Sequence, residues 1–418
     1  LRRGNDKLRH DILPCDCQSF FILQQIVLLF PFLQKTETLL RRKITRPNMG
    51  GLGNPTDMSV FSFMAPSTAP LRKYGNHNFG AVPPMAKNFI WTQDFSKEEL
   101  LKMMELIDLL KRADKEGACP KLLAGASLGM IFEEPSTRTR ISFEVAMTKL
   151  GGHALYLRPG EIHMGERESI SDTAKVVSRM VDVIEARTLK HQTVVDLARY
   201  ATVPVINGLT DFNHPTQVLC DVFTMTEHAP QGKKLEDFHV TFIGDATNVC
   251  NSLAMICTHM GMSFTHAAPA KYQIAKSVQD ICRENCAKSG GRLMVTGDPV
   301  SAVSKADFIY TDLWWWVGQE KEIPERRDAF MPKFQVNMDL VRKAPETVRI
   351  MHCLPASRGV EATDEVLDSP QSIIFDQSEN RLHTEKALLV HFVYPRLKRP
   401  SAALAEYHQG RIEAFLNS

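Results

Sequence analysis

Ser136-Thr137-Arg138-Thr139-Arg140 alternates hydroxyl and guanidinium groups along five residues. The stretch follows the apolar run Leu128 to Phe132 and precedes the helix-like run Ile141 to Leu150. The first N–H groups of a helix have no intrahelical partner, and the helix dipole is positive there. Two arginines on that turn add charge-assisted donors that match phosphate oxygens. A polar turn with solvated arginines is the bland alternative. Two Arg and two Thr at one helix entry favour anion binding.

Other chemistry-bearing residues sit at comparable places. His214-Pro215-Thr216-Gln217 opens a helix with Pro in its first turn, and His214 and Gln217, three apart, project toward one point. A His beside a Gln amide can polarise a carbonyl and hold an NH₂ group, or simply be a capped helix start. Cys353, at the end of the buried run Met351-His352-Cys353-Leu354-Pro355, has no evident base and reads as a lining residue. Asp312 precedes Trp314-Trp315-Trp316-Val317-Gly318 and offers a carboxylate to an ammonium group. Three consecutive tryptophans cannot all face inward, so at least one meets a surface or a cleft. Gly244-Asp245-Ala246-Thr247-Asn248 has one glycine where a dinucleotide turn needs three, which excludes a nicotinamide site.

The elements that position these groups alternate. A capping box at Ser96 to Glu99 starts a helix with Leu100, Met103, Met104, Ile107 and Leu110 on one face. Strand signals recur at 128–132, 182–186, 203–206, 239–245, 308–310, 349–353 and 373–375, with helices at 138–150, 215–228 and 248–260. The expected fold is α/β: two doubly wound parallel-sheet domains, the active site in the cleft between them, and a C-terminal helix over 401–416. Strand ends at Asp245, Asp312, Cys353 and Asp376 are expected at the crevice.

The chain has 418 residues, 44% hydrophobic and 23% charged, with a net charge of +2. That suits two globular domains and gives no basic field for nucleic acid. Nine scattered cysteines favour reduced thiols and a cytoplasmic home, and Cys282 and Cys286 lack the companions of a zinc site. Residues 1–84 read as a disordered leader or a targeting segment. Nine Lys/Arg against four Asp/Glu within 1–47 would suit a mitochondrial transit peptide. The apolar stretch Phe20 to Leu33 is too short and too interrupted to span a membrane.

Taken in order, Ser-Thr-Arg-Thr-Arg, His-Pro-Thr-Gln and His-Cys-Leu-Pro resemble the aspartate/ornithine carbamoyltransferase family over residues 86–418. The resemblance implies a carbamoyl-phosphate-binding domain over 85–228 and an acceptor-binding domain over 229–385. Helices over 386–418 would pack back on the first domain or on a neighbouring subunit. It implies a homotrimer, with carbamoyl phosphate and an amine as partners and no cofactor or metal. Donor-site residues carried over are Ser136, Thr137, Arg138, Thr139, Arg187, His214, Gln217, Cys353, Leu354 and Arg381. His163 would reach a neighbour's site. The acceptor would meet Asn248, Asp312, Trp316, Val317, Cys353 and Leu354, with Arg138, Thr139, Arg187, His214 and Cys353 closest to the chemistry. Ornithine-type members carry Ser-Met-Gly where this chain has Trp316-Val317-Gly318, so its similarity leans to putrescine-type members, with ornithine as the alternative acceptor. A non-catalytic anion-binding regulatory protein is the remaining reading.

Overall fold

The computed structural model describes residues 87–418 except Glu166 and Val317. The leader expected over 1–84 lies outside the described residues. Helix α1 (Lys97–Lys115) begins with the expected reciprocal cap: Ser96 Oγ accepts from Glu99 N at 3.2 Å, and Ser96 N donates to Glu99 Oε2 at 2.9 Å. Its apolar face is buried in full.

The first lobe carries a parallel four-stranded sheet in the order β2-β1-β3-β4. The strands are β1 (Ser127–Phe132), β2 (His153–Leu157), β3 (Val183–Arg187) and β4 (Val205–Leu209). They alternate with α2 (Thr137–Lys149), α3 (Ile170–Val177) and α4 (His191–Tyr200), and α5 (Pro215–Glu227) follows β4. The second lobe has a parallel five-stranded sheet in the order β7-β6-β5-β8-β9. Its strands are β5 (His239–Ile243), β6 (Ser263–Ala267), β7 (Arg292–Thr296), β8 (Phe308–Thr311) and β9 (Arg349–His352). Strand order reverses between β1 and β3 and again between β5 and β8, and ligands bind at such switch points.

Helices α6 (Asn248–Met260), α7 (Lys276–Ser289) and α8 (Pro299–Val303) serve the second sheet, with the short α9 (Ile323–Phe330), α10 (Met338–Val341) and α11 (Asp364–Leu367) beyond. Helix α6 stops at Gly261, whose φ of +91° is a left-handed value that suits glycine at a helix end. Helix α12 (Ile374–Val393) runs unbroken from the edge of the second sheet to α1, α2 and α5 of the first lobe. The terminal α13 (Ala402–Leu416) buries no residue, and its Tyr407, Ile412, Phe415 and Leu416 are exposed. It does not pack back on the first lobe.

One expected strand is corrected. Ile373 to Phe375 is not a strand, because α12 begins at Ile374. Only a single bridge, Ile350 to Ser372, pairs that segment with β9. Three apolar residues carry no period, so strand and buried helix start look alike in sequence. Asp376 therefore leaves the crevice list: it sits on α12, mostly exposed, 3.0 Å from His228.

Candidate active site

Residues from both sheets' carboxyl ends converge on a small cavity of about 60 Å³. The turn after β1 brings Ser136, Arg138 and Thr139, and the end of β3 brings Arg187. Helix α5 brings His214 and Gln217, and α12 brings Arg381. The second lobe supplies Asp312, Leu313 and Trp316 after β8, and Cys353, Leu354 and Pro355 after β9.

Ser136 is the N-cap of α2, and its Oγ accepts from Thr139 N at 3.4 Å. The hydroxyl proton remains available to a ligand. Phe143, Ala146 and Met147 bury the other face of α2 and hold that turn in place. Neither Arg138 nor Arg187 forms an ion pair among the described residues. Burial and the other guanidiniums pull Arg187 down to about 10, and burial lowers Arg138 too. Desolvated, unpaired cations at one point make a strong demand for an anion.

His214 is buried at the N-cap of α5. Burial, and then the three surrounding arginines, push its pKa well below 6.5, so it is neutral. Its Nδ1 lies 3.4 Å from Thr216 Oγ1. With Thr216 donating, the ring proton sits on Nε2, the tautomer suited to donate into the cavity. Arg381 donates through Nη1 to Gln217 Oε1 (2.7 Å) and through Nη2 to Glu385 Oε1 (2.6 Å).

Beneath Arg187 lies Glu185, fully buried with no partner on either oxygen. Burial, with Glu385 nearby, raises its pKa well above the ordinary value, against the pull of Arg187 and Arg381. A Cβ at Gly208 would stand 1.7 Å from Glu185 Oε1, so a larger residue there would displace the Glu185 carboxyl.

On the second lobe Asp312 is held by three donors. It accepts from Cys353 Sγ (3.1 Å), Thr247 Oγ1 (3.0 Å) and Leu313 N (2.8 Å). Burial and Asp312 keep Cys353 a thiol rather than a nucleophilic thiolate. His352 holds the next turn: its Nδ1 accepts from Leu354 N (2.8 Å), and its Nε2 faces Glu361 Oε1 (3.3 Å). Leu354 takes a φ of +57°, a sparsely used value for a non-glycine residue. Asp312, His352 and Cys353 have ligand-type atoms within 4.8 Å of one another, but each already has a protein partner.

A larger outer cavity of about 1070 Å³ adjoins the small one through Arg187, Leu209 and Trp316. Trp314 is buried against Phe330 (5.0 Å between centroids, 17° between planes), whereas Trp316 faces both cavities. Asn248 Nδ2 donates to Thr210 O (2.6 Å), leaving its buried Oδ1 without a partner; Asn251 Oδ1 is unpartnered too.

Two family models match the chain: the aspartate/ornithine carbamoyltransferase carbamoyl-P binding domain over residues 87–227, and that family's Asp/Orn binding domain over residues 236–392. The chain belongs to the aspartate/ornithine carbamoyltransferase family. It is similar to the putrescine carbamoyltransferase of Mycoplasma capricolum, 52% identical over 79% of this chain and 92% of that protein. It is also similar to the ornithine carbamoyltransferase of Pyrococcus horikoshii, 48% identical over 72% and 94% respectively. Among solved structures, ornithine carbamoyltransferase from Pyrococcus furiosus superposes with a TM-score of 0.71 at 47% identity, covering 75% of this chain and 98% of that one.

In this carbamoyltransferase, Ser136, Arg138, Thr139, Arg187, His214, Gln217, Asp312, Trp316, Cys353, Leu354 and Arg381 meet in the small cavity. Asn248 lines the outer one. Thr137 is exposed on the first turn of α2, and His163 is exposed on the loop before α3; neither lines the cavity of its own chain. Val317 lies outside the described residues. Sequence reasoning missed the supporting shell of Glu185, Asp221, Tyr310, His352, Glu361, Gln377 and Glu385. A signal was available for two of them: Asp221 lies one turn beyond Gln217, and Glu385 one turn beyond Arg381.

Proposed function

We propose that this carbamoyltransferase moves the carbamoyl group of carbamoyl phosphate onto an amine of putrescine, giving N-carbamoylputrescine and phosphate. The observation that carries the choice of acceptor is the charge pairing around the outer cavity. Apart from Arg187, its cations already have carboxylate partners: Lys190 with Asp211, Lys271 with Glu325, and Arg326 with Asp245 and Glu322. Beyond Arg187, which the donor cavity shares, an amino-acid carboxylate finds no unpaired cation there among the described residues, whereas the buried, unpartnered amide oxygens of Asn248 and Asn251 suit an ammonium group. The exchange of Ser-Met-Gly for Trp316-Val317-Gly318 supports the same reading. Ornithine is the second reading, favoured by the positive end of α6 beside that cavity.

In the proposed mechanism a neutral amine attacks the carbonyl carbon of carbamoyl phosphate. A C–N bond forms, the C–O bond to phosphate breaks, and the amine proton leaves with the phosphate. Ser136, Arg138 and the start of α2 neutralise the leaving phosphate. Thr139, Arg187 and His214 donate to the carbonyl oxygen as it gains charge, an arrangement worth about 3 kcal/mol per donor. Gln217 Oε1 and the Leu354 carbonyl hold the carbamoyl NH₂.

The working unit in this proposal is a homotrimer, with His163 turned toward a neighbour's site and the bare apolar face of α13 covered by a neighbour. The seven described cysteines are free thiols, which suits the reducing cytoplasm. Among the described residues no helix is long and apolar enough to cross a membrane.

The deciding experiment supplies carbamoyl phosphate with putrescine or ornithine in parallel. A putrescine kcat/KM at least about tenfold above that for ornithine is expected. The opposite ranking would overturn the acceptor assignment.

A further inference from the structure

Beneath the cavity Asp221 sits fully buried on α5, one turn beyond Gln217. Its Oδ1 accepts from Gln217 Nε2 (2.8 Å) and from Gln377 Nε2 (2.7 Å). Its Oδ2 accepts from the Tyr310 hydroxyl (3.0 Å). Those donors come from α5, from α12 and from β8 of the second lobe. Gln377 continues the chain, since its Oε1 accepts from His352 N (2.9 Å), just before Cys353 and Leu354. One carboxylate thus ties the cavity's first-lobe and second-lobe walls together.

The Gln217 amide is clamped at both ends. Its donor end rests on Asp221, and its oxygen receives Arg381 Nη1 at 2.7 Å. A flipped amide would set Nε2 against the guanidinium and Oε1 against the carboxylate, two repulsive contacts in a buried setting. The partners therefore assign the orientation. An amide oxygen has two lone pairs; Arg381 takes one, and the cavity that Gln217 lines takes the other. At that point the site offers an acceptor, not a donor.

We propose that Asp221 is a positioning residue that sets donor selectivity, by holding Gln217 Oε1 toward the cavity so that the transferred group must present an N–H there. Carbamoyl phosphate carries NH₂ at that place. Acetyl phosphate, of nearly the same shape, carries a methyl group that cannot donate. A site built around a hydrogen bond rejects an analogue lacking that group far better than a merely apolar pocket does. Burial pushes the Asp221 carboxyl up to about 7, and its three hydrogen-bond donors pull it back toward the ionised form.

The inference rests on the carbamoyl-transfer reading, and the test separates the two. Phosphate release with an amine acceptor is measured for carbamoyl phosphate and acetyl phosphate in the parent, Asp221→Leu, Asp221→Ser and Asp221→Asn enzymes. Circular dichroism confirms which are folded. Failure of the parent to use carbamoyl phosphate sinks the functional reading itself. With an active parent, Asp221→Leu is expected to lose about a hundredfold in kcat/KM for carbamoyl phosphate and about threefold or less for acetyl phosphate. Asp221→Ser leaves room for water, is the better tolerated of the two, and should show the same collapse of the ratio. Asp221→Asn keeps one oxygen for both amides and should retain the parent ratio within about threefold. Equal losses for both donors in the Leu and Ser variants, or a ratio unchanged in either, would overturn the assignment, because a purely structural role lowers both rates together.

Discussion

Arg326 donates to Asp245 at 2.6 Å on the wall of the outer cavity, so the carboxylate at the end of β5 is neutralised by a residue 81 positions later in the chain. The same guanidinium reaches Glu322 (2.9 Å) and the Trp314 carbonyl (2.9 Å) and lies over the Tyr272 ring, 5.0 Å from its centre. The pair is mostly withdrawn from solvent, which makes loss of one partner costly.

Arg326→Met should therefore lower stability by about 3 kcal/mol and leave Asp245 and Glu322 uncompensated beside the acceptor. A more negative cavity favours a diamine over an amino acid. The ratio of kcat/KM for putrescine to that for ornithine should rise, and the melting temperature should fall. A ratio moving toward ornithine would remove the outer cavity from the acceptor path.

Arg138→Ala and Arg187→Ala address the donor site. Each removes a desolvated cation without an ion-pair partner, so the fold should survive with a melting temperature unchanged or raised. Turnover should fall by about 10²-fold or more, since each guanidinium is aimed at charge that grows during reaction. Steady-state phosphate release beside a thermal melt checks both halves, and near-parental rates in both variants would dismantle the cavity's assigned role.

The pH dependence of rate should follow the substrate rather than the protein. A primary amine has a pKa of about 10.4, so its reactive fraction rises about tenfold per unit between neutral pH and 9. Burial and three arginines hold His214 far below 6.5, so it is neutral throughout that range. Plots of log kcat/KM for the amine should climb with unit slope above about pH 8, clear of the Asp221 and Glu385 carboxyls that burial raises to about 7. A break there would assign an ionising protein group to the reaction.

Stability should show its own pH signature through His266. Its Nε2 lies 2.9 Å from the Gly244 carbonyl, and its Nδ1 accepts from Ile274 N at 3.2 Å, so the ring is held neutral behind the turn that presents Asp245. Burial lowers its pKa from 6.5 to about 4. Between those values the unfolded chain binds more protons than the folded one, so this contribution is present above 6.5 and is lost as pH falls toward 4. The slope is up to about 1.4 kcal/mol per pH unit. Asp221 and Glu385, both raised to about 7 by burial, act in the opposite sense over much of that window. The difference between parent and His266→Gln in denaturant titrations at pH 4.5, 5.5 and 6.5 isolates the histidine. It should shrink as pH falls; a constant difference would show that the ring does not titrate in the folded state.

Much of this was legible in sequence because it is local. The Ser96 cap, the α2 entry at Ser136 and the Pro215 start of α5 each lie within a few residues of the groups they organise. The strands overlooked, β2, β6 and β7, were not. β2 and β7 open on His153 and Arg292, which shortens their apolar runs, His266 interrupts β6, and the two edge strands are only half covered. The Asp221 cluster was invisible for another reason. Tyr310 and Gln377 reach it from 89 and 156 residues away, and no periodicity reports such a meeting. His163 and Thr137 followed from motif position, which specifies neither exposure nor which subunit's pocket a side chain serves.

Helix α12 starts against β9 and ends among α1, α2 and α5, carrying Gln377 and Arg381 on the way. The proposed phosphate-binding residues are thereby bolted to a stiff girder, while the proposed amine cavity is walled in part by the segments around 269–275 and 316–326. Descendants of such a scaffold can retool which nucleophile they admit by editing those loops alone, without disturbing the activated donor.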